Sequence, residues 1–180
     1  MASCFSHPAV PLALACWLPK VRRRALLVAA ALLSAMPDLD AIGYFQGVPY
    51  EAWNGHRGCT HSLVFAVVVA FVIGPWLGRR CEVGAMRASL FLCASIASHG
   101  LVDMLTDGGL GVALLWPFSQ ERLFFSFRPI AVAPLGVSAF FSSWGVDVLL
   151  SEALWLWLPA AIAGSVGLVL TRQRPPKPPA

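Results

Sequence analysis

The sequence has very few charged residues. Aspartate, glutamate, lysine and arginine make up 12% of its 180 residues, whereas a soluble domain has about 25%. Hydrophobic residues make up 58% of the chain, and the mean hydropathy is +0.71. This shortage of charge excludes an ordinary soluble protein. It indicates an integral membrane protein, for which one domain is enough at this length.

Paired cysteines and a strong net charge are also missing. The five cysteines form no C-x-x-C pair, which argues against a disulfide framework and against a cysteine metal site. The net charge is only +4, and the basic residues cluster in short loops and near the C-terminus. We read these clusters as signals of membrane topology and expect no nucleic-acid partner.

Apolar segments dominate what remains. They are Pro8 to Leu18, Ala25 to Met36, His61 to Gly78, Met86 to Leu105 and Glu152 to Thr171. The last three approach the roughly 20 residues that a spanning helix needs. The first two are shorter, and they either cross with the help of flanking residues or form a hairpin that does not fully span. The pattern predicts an all-α fold, a polytopic membrane helix bundle of about five apolar helices with the first two short.

Two stretches fall outside this pattern. Prolines and glycines interrupt Pro129 to Leu150, which we predict to be interfacial or re-entrant structure. Residues 172–180 are basic and rich in proline, which is typical of a disordered tail. We therefore expect a membrane-embedded helical domain over residues 1–171, followed by this tail.

The basic clusters predict the orientation of the bundle. With five crossings, all three clusters fall on one face, which the positive-inside rule assigns to the cytoplasm. The N-terminus is then outside and the C-terminus is cytoplasmic. The clusters are Lys20 with Arg22 to Arg24, then Arg79, Arg80 and Arg87, and finally Arg172, Arg174 and Lys177.

The histidines and most of the aspartates fall at the opposite ends of the apolar segments. Ionisable groups beside membrane segments are costly, so each is a candidate for function. Histidine and aspartate together form a ligand set for a catalytic divalent metal. The candidate ligands are His7, Asp38, Asp40, His56, His61, His99 and Asp103.

Spacing supports some of these candidates. His99 and Asp103 are one turn apart on a helix, so they could chelate one metal, bridge two, or form a polar pair packed between helices. Asp38 and Asp40 follow Pro37, which is expected to end a helix. Carboxylates at a helix C-terminus oppose its dipole, so a metal or Arg57 is expected nearby, unless the pair is simply solvated.

The segment from His56 to His61 is the densest polar cluster. Its alternative explanation is a set of capping residues, such as Thr60, with one interfacial histidine. A lone N-terminal histidine such as His7 is more often incidental, although the topology places it on the ligand side. Asp107 either orients a ligand or is a loop acid.

Two arginines lie in an aromatic loop on the predicted outer side. Arg122 and Arg128 are flanked by Phe118, Phe124 and Phe127. Arginine is suited to bidentate recognition of phosphate or carboxylate. The alternative is an aromatic interface belt with arginines that reach toward the membrane surface.

Taken in order, these motifs resemble the YdjM-like family of inner-membrane metal-dependent hydrolases. The matching pieces are S-H-P-A (6–9), L-L-S-A-M-P-D-L-D (32–40), H-R-G-C-T-H-S (56–62), S-H-G-L-V-D-M-L-T-D-G-G (98–109), W-P-F-S (116–119) and R-P-I (128–130). The family's first piece usually reads T-H, and here Ser6 precedes His7. The resemblance implies a multi-pass protein of the bacterial inner membrane with a divalent metal and hydrolase activity.

A weaker similarity extends to zinc-dependent phospholipase C and to single-strand-specific nucleases, which also combine an early histidine, an aspartate and H-x-x-x-D. The leading hypothesis is therefore a metal-dependent hydrolase of a phosphoester in a lipid or amphiphile. Its site would face the periplasm and hold one or two divalent ions, with zinc as the first candidate.

Each polar residue then receives an expected role. Zinc would lower the pKa of bound water towards 7, with Asp40 or Asp103 as the general base. Arg57, with Arg122 or Arg128, would bind the substrate and neutralise charge developing on phosphate oxygens. Thr60 and Asp107 would orient a ligand.

Two other functions are compatible with the sequence. A non-enzymatic membrane scaffold or regulatory protein could hold a structural metal or polar cluster at the same place. A transporter predicts ionisable residues near mid-membrane and an internal repeat, neither of which the sequence shows.

Overall fold

The chain is helical. A computed structural model describes residues 1–173, which contain no β-strand and only two isolated bridges, Thr106 to Ile130 and Val112 to Leu123. The predicted all-α membrane bundle is confirmed, and the predicted tail falls almost entirely outside the described residues. The helices are α1 (Ala9–Trp17), α2 (Arg24–Ala35), α3 (Ala41–Phe45), α4 (Leu63–Arg80), α5 (Ala85–Asp103), α6 (Val137–Phe140), α7 (Ser143–Glu152) and α8 (Leu158–Arg172).

Four helical segments are long and apolar enough to cross a membrane. They are Arg24–Phe45, Leu63–Arg80, Ala85–Asp103 and Ser143–Arg172. The first apolar segment forms only the nine residues of α1, about 14 Å of helix. This is less than half of a hydrocarbon core of about 30 Å, so α1 does not span by itself. The five crossings used to predict the orientation therefore become four among the described residues.

The second crossing is longer than the sequence predicted. Helix α2 ends at Ala35, before Pro37, but the chain continues through a 3₁₀ turn, Met36–Asp40, directly into α3. Proline fits the start of such a turn because the missing N–H has no partner there. The crossing therefore reaches 22 residues, and the two aspartates lie inside it.

The last crossing starts earlier than predicted. It begins at Ser143 instead of Glu152, because α7 continues through a π-helical turn, Ala153–Trp157, into α8. The Ser142 hydroxyl caps α7 by accepting a hydrogen bond from the Trp144 N–H. The expectation of interfacial or re-entrant structure for residues 129–150 was therefore wrong for residues 143–150. Gly145 is accommodated inside this helix, where its missing side chain leaves room for the Phe140 carbonyl.

Helices α4 and α5 form a tight antiparallel pair through small residues. Ala66, Ala70, Gly74 and Gly78 recur every fourth residue on one face of α4, and all four are buried. A Cβ added to Gly74 would lie 2.5 Å from the Ser89 Cα of α5. Membrane helices that lack a hydrophobic driving force associate through such close backbone contact.

Helix α5 is the centre of the bundle. It packs against α4, α2 and α1, and 56% of its apolar window is buried, compared with 28% for α4. Helix α1 packs against α8 on the other side. Groups at the C-terminal end of α5 are therefore surrounded by protein.

The two ends of the bundle differ in character. At one end the Arg22 guanidinium donates to Thr171 Oγ1 at 2.8 Å, and Lys20 and Arg87 line one cavity. The segments 46–62 and 104–136 lie at the opposite end. His99 is about 18 Å along α5 from Arg87 at 1.5 Å per residue, so the histidines are well separated from the basic end.

The close contact at Gly74 gives a stability prediction. Replacing Gly74 with Ala should lower the free energy of unfolding in detergent by about 1–3 kcal/mol, because the methyl group overpacks against the Ser89 backbone. Gly136→Ala is the matched control, since the nearest atom to its new Cβ is 4.0 Å away. Helix propensity alone would make Gly74→Ala stabilising, so a raised unfolding midpoint would contradict this packing.

Candidate metal centre

Four buried side chains converge at the C-terminal end of α5. Asp38 lies in the 3₁₀ turn after α2, His61 ends the 3₁₀ turn before α4, and His99 and Asp103 occupy the last turns of α5. One ligand atom from each lies within 4.8 Å of the others. The fold thus brings four of the seven predicted ligands into one group that could hold a metal ion.

The two histidines of this group face each other. Their Nε2 atoms lie 2.9 Å apart. His99 Nδ1 contacts the Ser34 carbonyl oxygen at 2.7 Å, which assigns the proton to Nδ1 and leaves a lone pair on Nε2. His61 Nδ1 faces Asp40 Oδ2 at 3.2 Å. The 2.9 Å separation of the two Nε2 atoms is that of a hydrogen bond between the rings, and both atoms are of a type that would hold a metal ion.

The surroundings of the histidine pair are strongly negative. Burial by itself would lower the pKa of His61, but hydrogen bonds to Asp103, Asp38 and Asp40 raise it well above its ordinary value. The Arg57 guanidinium, 3.1 Å from Asp103, is the one arginine paired with these carboxylates among the described residues. The site therefore favours a further positive charge, either a proton on His61 or a metal ion.

Both aspartates of the group also face His7. Asp38 Oδ1 is 3.4 Å from His99 Nε2, whereas Asp38 Oδ2 is 3.6 Å from His7 Nε2. Asp103 Oδ2 is 3.5 Å from His61 Nε2, and its Oδ1 is 3.8 Å from His7 Nε2. Each carboxylate thus has one oxygen toward His7 and the other toward the His61–His99 pair.

His7 is free to act as a ligand. Its ring stacks on His99 at 3.7 Å between centroids. Burial, together with the neighbouring His99, lowers the pKa of His7 to about 3. The ring is therefore neutral at neutral pH, which is the form that binds metals.

Several buried polar atoms in this region have no hydrogen-bond partner in the part of the chain that the structure describes. They are both ring nitrogens of His7, both carboxylate oxygens of Asp38, and His56 Nε2. Buried polar groups are nearly always paired, and each unpaired one costs about 1–3 kcal/mol. All five are atoms of metal-binding types, so the residues present fit a divalent cation.

Asp40 and His56 lie beside the four-residue group. Asp40 Oδ1 accepts from His56 Nδ1 at 2.6 Å, and Asp40 Oδ2 accepts from Thr60 Oγ1 at 2.6 Å and from the Arg57 N–H at 3.2 Å. With the His61 contact, both carboxylate oxygens are occupied by protein donors. Asp40 is thus arranged to hold His56 and His61 in place.

The three predicted substrate arginines differ in availability. Arg57 is fully buried and donates to Asp103, to Thr106 Oγ1 at 2.6 Å and to the Gly108 carbonyl at 2.9 Å. Arg122 donates to backbone carbonyls of Tyr50, Ala52 and His56, which fixes the loop before α4.

Arg128 remains accessible. It is exposed, and its guanidinium lies over the Phe124 ring at 4.9 Å. Asp107 is also exposed, and its carboxylate accepts from the Val132 N–H at 2.8 Å. Of the three arginines, Arg128 therefore has the guanidinium that is most open to an anionic group, and Asp107 holds a loop at the edge of the site.

Sequence reasoning missed several supporting groups. A Cβ on Gly100 would lie 2.7 Å from the His61 carbonyl, so glycine beside His99 allows the two histidines to approach. The Ser34 carbonyl and the Ala2 N–H, which donates to Asp103 at 2.7 Å, are backbone groups that leave no sequence signal. The glycine in S-H-G was the one available clue.

Glu152, the last residue of α7, is a buried carboxylate. Its carboxylate accepts hydrogen bonds from Ser3 Oγ at 2.7 Å and Ser6 Oγ at 2.6 Å. This attaches the segment that carries His7 to the last crossing. Ser6, where the resembling family usually has threonine, therefore keeps the hydroxyl that this contact needs.

Comparison with known proteins agrees with the motifs. The chain is 42% identical over 176 residues to the inner membrane protein YbcI of Escherichia coli (strain K12), covering 97% of this chain and all of that protein. No solved structure matches the chain. The YdjM inner membrane protein family matches residues 1–174. The chain therefore belongs to the YdjM inner membrane protein family and is a multi-pass inner membrane protein.

Proposed function

We propose that this protein is a membrane-bound, metal-dependent hydrolase that cleaves a phosphoester in a lipid or amphiphile. The observation that carries the proposal is the convergence of Asp38, His61, His99 and Asp103, with ligand atoms within 4.8 Å of one another. Unpartnered nitrogens and oxygens of His7 and Asp38 add to it, because a site without a cation would leave them uncompensated.

Zinc is the metal we propose. Asp38, His61, His99 and Asp103 would hold one ion, and His7 with the second oxygens of both aspartates offers a place for another. Imidazole and carboxylate ligands suit zinc. When bound, zinc would supply Lewis-acid activation of water and of the phosphoryl group.

Residues beside the proposed metal ligands would carry out proton transfer. His56 lines a cavity of about 460 Å³, and its Nε2 has no hydrogen-bond partner within the described part of the chain, while its Nδ1 is held by Asp40. This is the arrangement of a general acid or base whose tautomer is set by a carboxylate. Asp40 then acts through His56 and His61, and Arg57 acts by holding Asp103.

The same cavity favours an amphiphilic substrate. Its walls include Tyr44, Phe45, Tyr50 and Trp144, with His56 at one side. Binding cavities of this kind are mainly apolar with a few polar groups that fix orientation. An apolar part of the substrate would pack on the aromatic rings, with its phosphoester near His56.

One observation favours the alternative, a non-enzymatic scaffold or regulatory protein with a structural metal. The four converging residues are no more than 9% exposed, and structural zinc sites are closed whereas catalytic sites keep an open position. A protein with this alternative function would bind the metal but would not hydrolyse a substrate.

Metal content and hydrolysis measured on the same samples separate these functions. Purified wild-type protein should carry stoichiometric zinc and cleave members of a panel of phospholipids and phosphodiesters. His61→Ala should lose both, because it removes one of the four ligands. Asp40→Asn should weaken zinc binding by about 10–100-fold, as expected for a group that orients a ligand.

The matched control is Asp107→Asn, which removes a carboxylate whose one hydrogen bond within residues 1–173 is to a loop N–H, and this variant should retain zinc and activity. Zinc retained without hydrolysis of any phosphoester would support the scaffold. Absence of bound metal from the wild-type protein would refute both.

We further propose that the site faces the periplasm and that the C-terminus is cytoplasmic. The proposal rests on the contacts that join Arg22 to Thr171 and on the cavity shared by Lys20 and Arg87, which collect basic residues at one end.

Reporter fusions after Thr171 test this orientation. Alkaline phosphatase fused there should be inactive, and green fluorescent protein should be fluorescent, because both would lie in the cytoplasm. A fusion after Asp107 should give the opposite pair of results. Active phosphatase at Thr171 would reverse the orientation.

A further inference from the structure

A second large cavity lies at the basic end of the bundle, far from the metal centre. Its volume is about 620 Å³, within the range of about 300–1,000 Å³ that is typical of small-molecule sites. It lies between the end of α1, the turn that follows α1, and the first half of α5. Its apolar walls are Leu14, Trp17, Leu18, Val21, Leu90 and Phe91.

The mouth of this cavity carries two cations from different elements. Lys20 comes from the turn after α1, and Arg87 comes from the first turn of α5. Both are exposed, and neither forms an ion pair with a carboxylate among residues 1–173. Arg87 Nη1 donates one long hydrogen bond to the Val83 carbonyl at 3.3 Å, whereas the Arg22 guanidinium is held by three partners, Ala15, Cys16 and Thr171.

The start of α5 adds to this positive potential. Helix α5 begins at Ala85 after Gly84, and no side chain caps its first N–H groups. The N-terminal end of a 19-residue helix attracts an anion through these N–H groups and its dipole. Of this first turn, Arg87 lines the cavity, so the potential of the helix end adds to the attraction that Lys20 and Arg87 have for an anion.

We propose that this cavity binds an anionic phospholipid, with its phosphate between Lys20 and Arg87 and an acyl chain against the apolar walls. The occupant must be amphiphilic, because the walls are apolar and only the mouth is charged. Trp17, Leu18 and Leu90 are 40%, 40% and 56% exposed, so a chain can enter sideways from the bilayer. Basic pockets between membrane helices bind anionic headgroups in this way.

Native mass spectrometry of the purified full chain tests this site. Protein incubated with phosphatidylglycerol should retain one lipid in preference to phosphatidylcholine with the same acyl chains, because the latter's headgroup has no net negative charge. Lys20→Ala with Arg87→Ala should weaken retention by about 30-fold, since each basic residue contributes about fivefold near an anionic lipid. Excess inorganic phosphate should not displace the lipid, because it lacks acyl chains.

The matched control is Arg79→Ala with Arg80→Ala. It removes two exposed arginines of α4 that do not line this cavity, and it should retain the lipid as the wild type does. Ala94→Phe, which adds an aromatic ring to the cavity wall one helical turn beyond Leu90, should abolish retention with both cations present. Equal loss in the two double variants, or no preference for phosphatidylglycerol, would overturn the proposal whether or not the protein hydrolyses phosphoesters.

Discussion

Negative charge buried at the end of α5 is the constraint on which the rest of the structure depends. Asp38 and Asp103 face two histidines across less than 4.8 Å, and Asp40 contacts one of them from outside. Carboxylates removed from water need compensating charge, and Arg57 pairs with Asp103 alone among them. A divalent ion would supply the missing charge at the point where the His61 and His99 nitrogens approach each other.

Contacts between the helices of the bundle keep His61 and His99 close to each other. Small residues on α4 allow close contact with α5, and Gly100 admits the His61 backbone beside His99. The 3₁₀ turn after α2 presents Asp38 to the same point. Glu152 binds the segment before α1, which brings His7 to the other side of the two aspartates. The site therefore depends on contacts among crossings that are distant in sequence.

The sequence was most informative about residues whose side chains can bind a metal ion. Ionisable residues at the ends of apolar segments are energetically costly, and this pattern singled out His61, His99, Asp38 and Asp103. These four residues converge in the structure. The sequence was less informative about the direction in which each side chain points. Asp38 and Asp40 are two residues apart in a 3₁₀ turn with three residues per turn, so they point to different sides, and Asp40 contacts His56 and His61 from outside the four-residue group. The Ser34 carbonyl was unpredictable because every residue has one.

X-ray absorption spectroscopy at the zinc edge, on wild-type protein loaded with zinc, tests most directly whether these side chains share a metal. We expect only nitrogen and oxygen neighbours at about 2.0–2.2 Å, with the outer scattering of at least two imidazole rings. A sulfur neighbour at about 2.3 Å would place the zinc on a cysteine such as Cys59, and absent imidazole scattering would exclude His61 and His99. Either result would contradict a metal centre at the end of α5.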